Sequence, residues 1–370
     1  MSAASFLRWC GLADQTMNIQ QVAKRAGVSN ATASRALNRI PTVHPRLAKK
    51  VWSAASELGY YPNTLARGLV SGRTRILGLI VSDITNPFFP EIIQSFEDAA
   101  VDNNYEILLV STQHNHERME ISIRRMIERR VEGVAVFTSG IKQQLLCQFE
   151  FRNIPLLLVD ANSTRPGAVN LKVDYRHGIR QGVQHLAALG HEKIAFITGP
   201  LSLESAVTRK HAFEDALCEI GMQVDPQLVV DGDHTLQGGM RAFAKLFEKG
   251  MRPTAVMCSN DITAAGVIRE AYSRRISVPD ELSVIGFDDI RMAQFLVPPL
   301  TSIRISQGEM GRLAFTALLS ELKREQPSPT CTEHVLTTGL VLRASTALAP
   351  GRQVRSHDGP TRDATTFDGN

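Results

Sequence analysis

Apolar positions follow a helical period up to Gly59 and change character near Ile76. Ile19, Val22, Ala23 and Ala26 fall at i, i+3, i+4 and i+7, the stripe of a short amphipathic helix. Gly27 follows, free to adopt the positive φ that ends a helix, and Val28 returns an apolar side chain to the core. Ser29 is a suitable N-cap for a second helix from about Asn30 to Leu37, with Ala33 and Leu37 facing inward. A third helix is predicted from Pro45, since proline suits a first turn. Leu47, Val51, Ala54 and Leu58 form its stripe, and Gly59 stops it. Helix, glycine turn and capped second helix make the supersecondary unit that reads DNA.

Beyond Ile76 short apolar runs alternate with amphipathic stripes. Strands are predicted at 76–83, 106–112, 133–139, 155–161, 193–200, 254–261, 282–289 and 301–306. Between them lie helical stripes such as Ile92, Ile93, Phe96, Ala99 and Ala100, or Met119, Ile123, Met126 and Ile127. Strands that are apolar throughout and separated by helices imply parallel sheets covered on both faces. Eight strands are too many for one small sheet, so the body should have two lobes. The fold class expected is therefore a small all-α head followed by an α/β body of two lobes.

Charge sharpens the division. From Met17 to Arg75 ten basic residues accompany one acid, Glu57, a net +9 in a chain whose total is only +4. A basic head on a mildly acidic body points to a polyanionic partner for the head. Hydrophobic content of 43% and charged content of 21% are those of an ordinary globular protein. No apolar run approaches the ~18 residues a membrane span needs. Residues 1–16 lack the basic start and long apolar core of a secretory signal. The five cysteines are scattered without a paired spacing, so neither a disulfide framework nor a metal site is expected, and a reducing cytoplasm is. G-x-S-x-G, a P-loop, H-E-x-x-H and a CxxC pair are absent, leaving no catalytic residue and no cofactor to assign. His114 and His116, two apart after a strand, read as a polar loop or pocket rim rather than as metal ligands.

The run Ile19-Gln-Gln-Val-Ala-Lys-Arg-Ala-Gly-Val-Ser-Asn-Ala-Thr-Ala-Ser-Arg-Ala-Leu-Asn38 resembles the head of the lac repressor/galactose repressor family of transcriptional regulators. Leu58-Gly-Tyr-Tyr-Pro-Asn63 resembles the segment that closes that head, and the likeness runs from about Met17 to Ala347. The resemblance implies that the second helix enters the major groove, with Asn30, Ala31 and Arg35 at base edges. Asn pairs bidentately with adenine, Ala packs on a thymine methyl, and Arg chelates guanine O6 and N7. Beside the cap Ser29, Thr32 and Ser34 suit phosphates and fix register. Residues 63–72 resemble the family's hinge helix, with Asn63 as its cap, Ala66 small enough for close helix approach, and Leu69 wedging into the minor groove. Two turns containing Gly68 should be mostly unfolded until DNA is bound.

The resemblance also implies a body like the periplasmic sugar-binding proteins, with an effector in the cleft beyond the strand ends. Residues matching Phe88, Phe89, Asp160, Arg209, Asn260 and Asp288 contact the effector in the family. Carboxylates, an amide and an arginine grip vicinal hydroxyls, and an aromatic face stacks on a sugar's CH surface. Asp261 and Asp289 read instead as caps of the following helices. The sequence departs from the family pattern after Pro298-Pro-Leu-Thr-Ser-Ile-Arg304. There Ile305-Ser306 replace the usual Gln-Pro at the expected crossover between lobes.

The domain plan expected is an extra arm over 1–16, with Met17 as the true start, a head over 17–62 and a hinge over 63–75. A sensor over 76–348 and a disordered tail over 349–370 complete it, the tail without a leucine heptad. The function expected is a cytoplasmic homodimeric repressor on a pseudo-palindromic operator, released by a carbohydrate inducer. A corepressor-dependent regulator with a purine-like effector is the alternative. A solute-binding protein fits poorly with the fused basic head.

Overall fold

The computed structural model describes residues 17–38, 40–61, 73–113, 115–138, 143–160, 167–326, 328 and 330–351. The expectations for residues 1–16, Asn63, Ala66, Leu69, His114 and the tail beyond Gly351 lie outside the described residues. The chain divides into two compact units, 1–74 and 75–370.

The first unit contains α1 (Ile19–Ala26), α2 (Asn30–Leu37) and α3 (Pro45–Glu57). Asn18 and Gln21 close a reciprocal capping box on α1, and Gly27 ends it in the left-handed conformation at φ 67°. The core is built mainly of alanine and valine: Val22, Ala23, Ala33, Ala36, Val51, Ala54 and Ala55, with Leu37. Such small side chains let three short helices approach closely. Leu47 corrects the expected stripe of α3. It is exposed, and Ala55 takes the inward place beside Val51 and Ala54.

The second unit starts with a lobe comprising β1 (Ile76–Val81), α4 (Phe89–Asp102), β2 (Glu106–Ser111), α5 (His116–Glu128), β3 (Gly133–Phe137), α6 (Gln143–Glu150), β4 (Leu156–Val159) and β5 (Ala168–Asp174). A second lobe follows with α7 (Tyr175–Ala188), β6 (Ile194–Ile197), α8 (Glu204–Glu219), β7 (Val229–Val230), α9 (Leu236–Glu248), β8 (Ala255–Cys258), α10 (Asp261–Ser273), β9 (Ser283–Asp288) and β10 (Thr301–Arg304). The chain then adds α11 (Gln307–Leu322) and β11 (Thr332–Thr337) to the first lobe and β12 (Gly339–Val341) to the second. All eight expected strands form, each shorter than its apolar run; β5, β7, β11 and β12 are additional.

Strand order is β2-β1-β3-β4-β5-β11 in one sheet and β7-β6-β8-β9-β10-β12 in the other. Every pairing is parallel except β10 with β12. The order reverses between β1 and β3, and again between β6 and β8. In doubly wound sheets ligands bind just beyond the strand ends at such reversals.

Three segments cross between the lobes: Asp174 to Tyr175, Ile305 to Ser306, and the residue between β11 and β12, Thr338. Thr338 Oγ1 donates to the Asp174 carbonyl at 2.6 Å and accepts the Gly178 amide at 2.9 Å, tying the first crossing to the third. At the second, Ile305 is buried and Ser306 caps α11, so the pair that departs from the family pattern serves the crossover directly. The last segment also corrects the expected start of the tail. Ala349 is buried, and its amide donates to the Leu189 carbonyl at 2.9 Å.

Helices α4 and α11 pack face to face because Gly311 brings their backbones together. A Cβ there would sit 2.0 Å from Ser95 Oγ and 2.4 Å from the Ile92 carbonyl oxygen. Gly311→Ala is therefore expected to destabilise the body by about 1–3 kcal/mol through overpacking. A lowered urea midpoint with unchanged far-UV circular dichroism is the expected reading, and an unchanged midpoint counts against the tight crossing.

Candidate functional site

In the head, α2 presents a polar outer face. Ser29 Oγ accepts the Thr32 amide at 3.2 Å and lies 2.9 Å from Thr32 Oγ1, so cap and hydroxyl are locked together. Ser34 Oγ accepts from Asn38 Nδ2 at 3.4 Å. Asn30, Ala31 and Arg35 are exposed, whereas Thr32 and Ser34 are half-buried. The acid among the described residues of this unit, Glu57, pairs with Arg25 at 2.6 Å, and that hydrogen bond lowers its pKa. Both partners are exposed, so the pair adds little stability. It does neutralise the negative charge, leaving Lys24, Arg35, Arg46, Lys49 and Lys50 exposed around the helices.

In the body, a cleft of about 1110 Å³ opens between the lobes. Phe88, Phe89, Asp160, Arg209, Asn260 and Asp288 all line it. They come from five elements or strand ends: the start of α4, the end of β4, α8, and the ends of β8 and β9. Asp160 and Asp288 have φ of 50° and 96°, conformations uncommon for residues with a Cβ. Backbone strain of this kind is concentrated at functional sites.

The floor is an arginine between two carboxylates. Arg209 is 7% exposed and Asp288 5%. One guanidinium nitrogen, Nη1, donates to the Ser259 carbonyl, and Nη2 lies 3.5 Å from Asp288 Oδ1. The guanidinium carbon sits 4.8 Å from the Tyr175 ring centroid and 4.2 Å from that of Phe287, a cation–π sandwich. Tyr175 donates its hydroxyl to Asp160 Oδ2, and the Val173 amide donates to Oδ1 at 3.0 Å. Arg209 Nε and Asp288 Oδ1 are buried without a hydrogen-bond partner. A buried polar atom left unsatisfied in this way points to a missing partner.

Electrostatics follow burial. Loss of solvent raises the Asp288 carboxyl to about 7 even though Arg209 pulls it down. Burial likewise raises Asp160, against the hydrogen bond from Tyr175, and burial with the adjacent Asp160 raises the Tyr175 hydroxyl. Desolvation opposes the charge on Arg209, but Asp288, Tyr175 and Asp160 together hold it in place.

Two expectations are corrected. Asp261 does not cap α10, since Asn260 does, through its side-chain oxygen and the Thr263 amide at 2.8 Å. Asn260 Nδ2 also donates to the His234 carbonyl at 3.3 Å, so this amide braces the wall as well as facing the cleft. Asp261 is instead buried and accepts from Ser302 Oγ and from the Ile290 amide at 2.8 Å. Asp289 caps nothing either; it pairs with Arg304 at 2.6 Å and Arg343 at 2.7 Å. Together these contacts, with Gln307 Nε2 on the Asp288 carbonyl at 2.6 Å, hold the turn that aims Asp288 inward.

Tyr175 and Phe287 escaped the sequence reading. Tyr175 follows a strand whose polar Asn170 and Lys172 interrupt its apolar run, and Phe287 reads as an ordinary strand residue. No metal-binding cluster occurs among the described residues, and none of their helices is long and apolar enough to cross a membrane.

A helix-turn-helix unit joined to a two-lobed body with a polar interlobe cleft defines a DNA-binding regulator rather than an enzyme. Known proteins agree. Residues 18–63 match the model of the lacI family of bacterial regulatory proteins, and residues 183–346 match a periplasmic binding protein-like domain. Catabolite control protein A of Priestia megaterium is 32% identical over 310 residues, covering 84% of this chain and 93% of that protein. The HTH-type transcriptional repressor PurR of Erwinia tasmaniensis is 34% identical over 342 residues, 91% of this chain and 99% of that one. The crystal structure of the lac repressor dimer bound to operator and the anti-inducer ONPF superposes with a TM-score of 0.79 at 26% identity. That match covers 90% of this chain and all of the other. The chain belongs to the LacI family of DNA-binding transcriptional repressors.

Proposed function

We propose that this protein is a homodimeric repressor whose operator affinity is lowered by a sugar or sugar derivative held between the lobes. The observation that carries the reading is the Asp160–Arg209–Asp288 floor, with a buried Asp288 oxygen that lacks a hydrogen-bond donor. Vicinal hydroxyls supply donors to Asp288 and acceptors to Arg209 Nε, while Phe88 and Tyr175 offer apolar surface to the sugar's CH face. Residues 17–62 read the operator through Asn30, Ala31 and Arg35, and the family resemblance gives Asn63, Ala66 and Leu69 the minor-groove contacts. A second copy covers the exposed Met292, Phe295 and Val297 of the second lobe, an apolar group a monomer seldom leaves in water.

Lobe closure on the effector changes the spacing at which the two copies meet the operator, and DNA binding is weakened. Moving a population from 1:99 to 99:1 takes about 5.5 kcal/mol. Two sites per dimer supply this at about 2–3 kcal/mol each, an ordinary coupling energy. The test is a thermal-shift screen of sugars and purines, followed by operator affinity with and without the ligand found. A sugar that weakens operator binding supports the reading. A purine that tightens it replaces the reading with corepression.

The pH dependence of effector binding follows from Asp288, whose carboxyl titrates at about 7. Donors from the ligand stabilise its ionised form, so binding releases a proton and affinity is lost as pH falls through that value. Calorimetry is expected to give affinity about tenfold weaker at about pH 6 than at about pH 8. Asp288→Asn should flatten the profile, and a slope that survives the substitution assigns it to another group.

A further inference from the structure

We infer that the effector carries no phosphate or carboxylate group: the cleft is built for an uncharged, donor-rich ligand. The inference rests on the sugar reading above and narrows it. Four carboxylates line the cleft, Asp83, Asp160, Asp233 and Asp288. Against them, Arg209 is the single Lys or Arg among the described lining residues. Its charge is already matched by Asp288 at 3.5 Å, and its faces are covered by Tyr175 and Phe287. Among the described residues, an anion approaching this floor meets Asp160 and Asp288 before any uncommitted cation.

Helix N-termini are the other way a protein binds anions, through free first-turn amides. Among the described residues, several helices that begin at the cleft spend first-turn amides on their own caps. Asn115 Oδ1 accepts the Glu117 and Arg118 amides of α5 at 2.9 and 3.0 Å. Thr235 Oγ1 accepts the Gly238 amide of α9, and Asn260 Oδ1 accepts the Thr263 amide of α10. Asp174 caps α7 with a carboxylate, which repels a second anion there. At α4 the Phe88 amide is bound by Asn86 Oδ1, the Phe89 amide by the Asn86 carbonyl, and Pro90 has none. Neither α4 nor α8 has a side-chain cap, and a glutamate stands in the first turn of each, Glu91 and Glu204. The remaining unsatisfied acceptor, Asp288 Oδ1, calls for a hydrogen donated by the ligand.

The test uses the full-length protein in a chloride buffer near neutral pH, by thermal shift and calorimetry. Probes are D-glucose, D-ribose and cellobiose, with glucose 6-phosphate, ribose 5-phosphate and gluconate as anionic counterparts, inorganic phosphate, and the neutral purine bases guanine and hypoxanthine. A neutral probe is expected to bind at least about tenfold more tightly than its anionic counterpart, and millimolar inorganic phosphate should leave the melting temperature unchanged. A sugar phosphate or acid preferred over the parent sugar overturns the inference and leaves the sugar reading standing. Stabilisation by inorganic phosphate that disappears in Arg209→Gln also overturns it, whether or not a sugar binds. A purine base that binds when no sugar does overturns the sugar reading and supports the exclusion of anions.

Discussion

Arg209→Ala is expected to produce a repressor that holds its operator and no longer answers to effector. Among the described residues the guanidinium is the cation that pairs with the Asp288 carboxylate, and it also bridges Ser259 and the Tyr175–Phe287 pair. Its removal takes away the proposed partner of the ligand and leaves a buried carboxylate uncompensated. Breaking such a pair costs about 3–5 kcal/mol, which in effector affinity is more than about a hundredfold. Part of that cost falls on the body itself, since Asp288 then stays protonated to higher pH or destabilises the fold. The double variant Arg209→Ala/Asp288→Asn separates the two effects: stability should recover, and effector response should not. Recovery of both would show that the pair supports the fold without touching ligand.

The second large effect lies in the head. Arg35 is exposed on the outer face of α2, so Arg35→Ala should leave the three-helix core intact. A bidentate contact to guanine is worth about 1–3 kcal/mol of discrimination, and its loss should relax preference at one base pair of each half-site. Lys49→Ala serves as the contrast. An exposed lysine on α3 is placed to meet phosphate under this reading, so its loss should weaken all sequences evenly and reduce the salt slope by about one ion. Competition titrations on specific and random duplexes distinguish the outcomes. Equal losses on both duplexes for Arg35→Ala assign that residue to the phosphates.

The head was legible almost to the residue because its signals are local. Ser29 bonds to Thr32 three residues away, and Gly27 turns the chain on its own. The body was legible where a strand is buried on both faces, as at Ile76–Val81, whose apolar run is unbroken. It was opaque where a strand exists only because of a distant partner. The segment Thr332–Thr337 alternates exposed residues with half-buried ones and one buried leucine, Leu336, and is held by β5, far earlier in the chain. The site inherited the same limit. The carboxylates and Arg209 stand at strand ends or on a helix that pattern reading can locate, whereas Tyr175 depends on β5. The exchange of roles between Asn260 and Asp261 is a one-residue matter of helix phase that adjacent polar residues leave undecided until the turn at Ile290 is seen to need an acceptor.

Because the chain crosses between the lobes three times, neither lobe is a continuous stretch of sequence. One is assembled from residues before Tyr175 together with α11 and β11, the other from what lies between and β12. A single splice inside the body therefore joins parts of two lobes, and the Thr338 link between the first and third crossings would then have to form across foreign partners. Heredity and engineering face the same arithmetic. A new reading head can be grafted with one cut before Arg75, but a new ligand preference has to evolve in place, one side chain at a time, or arrive with the whole body.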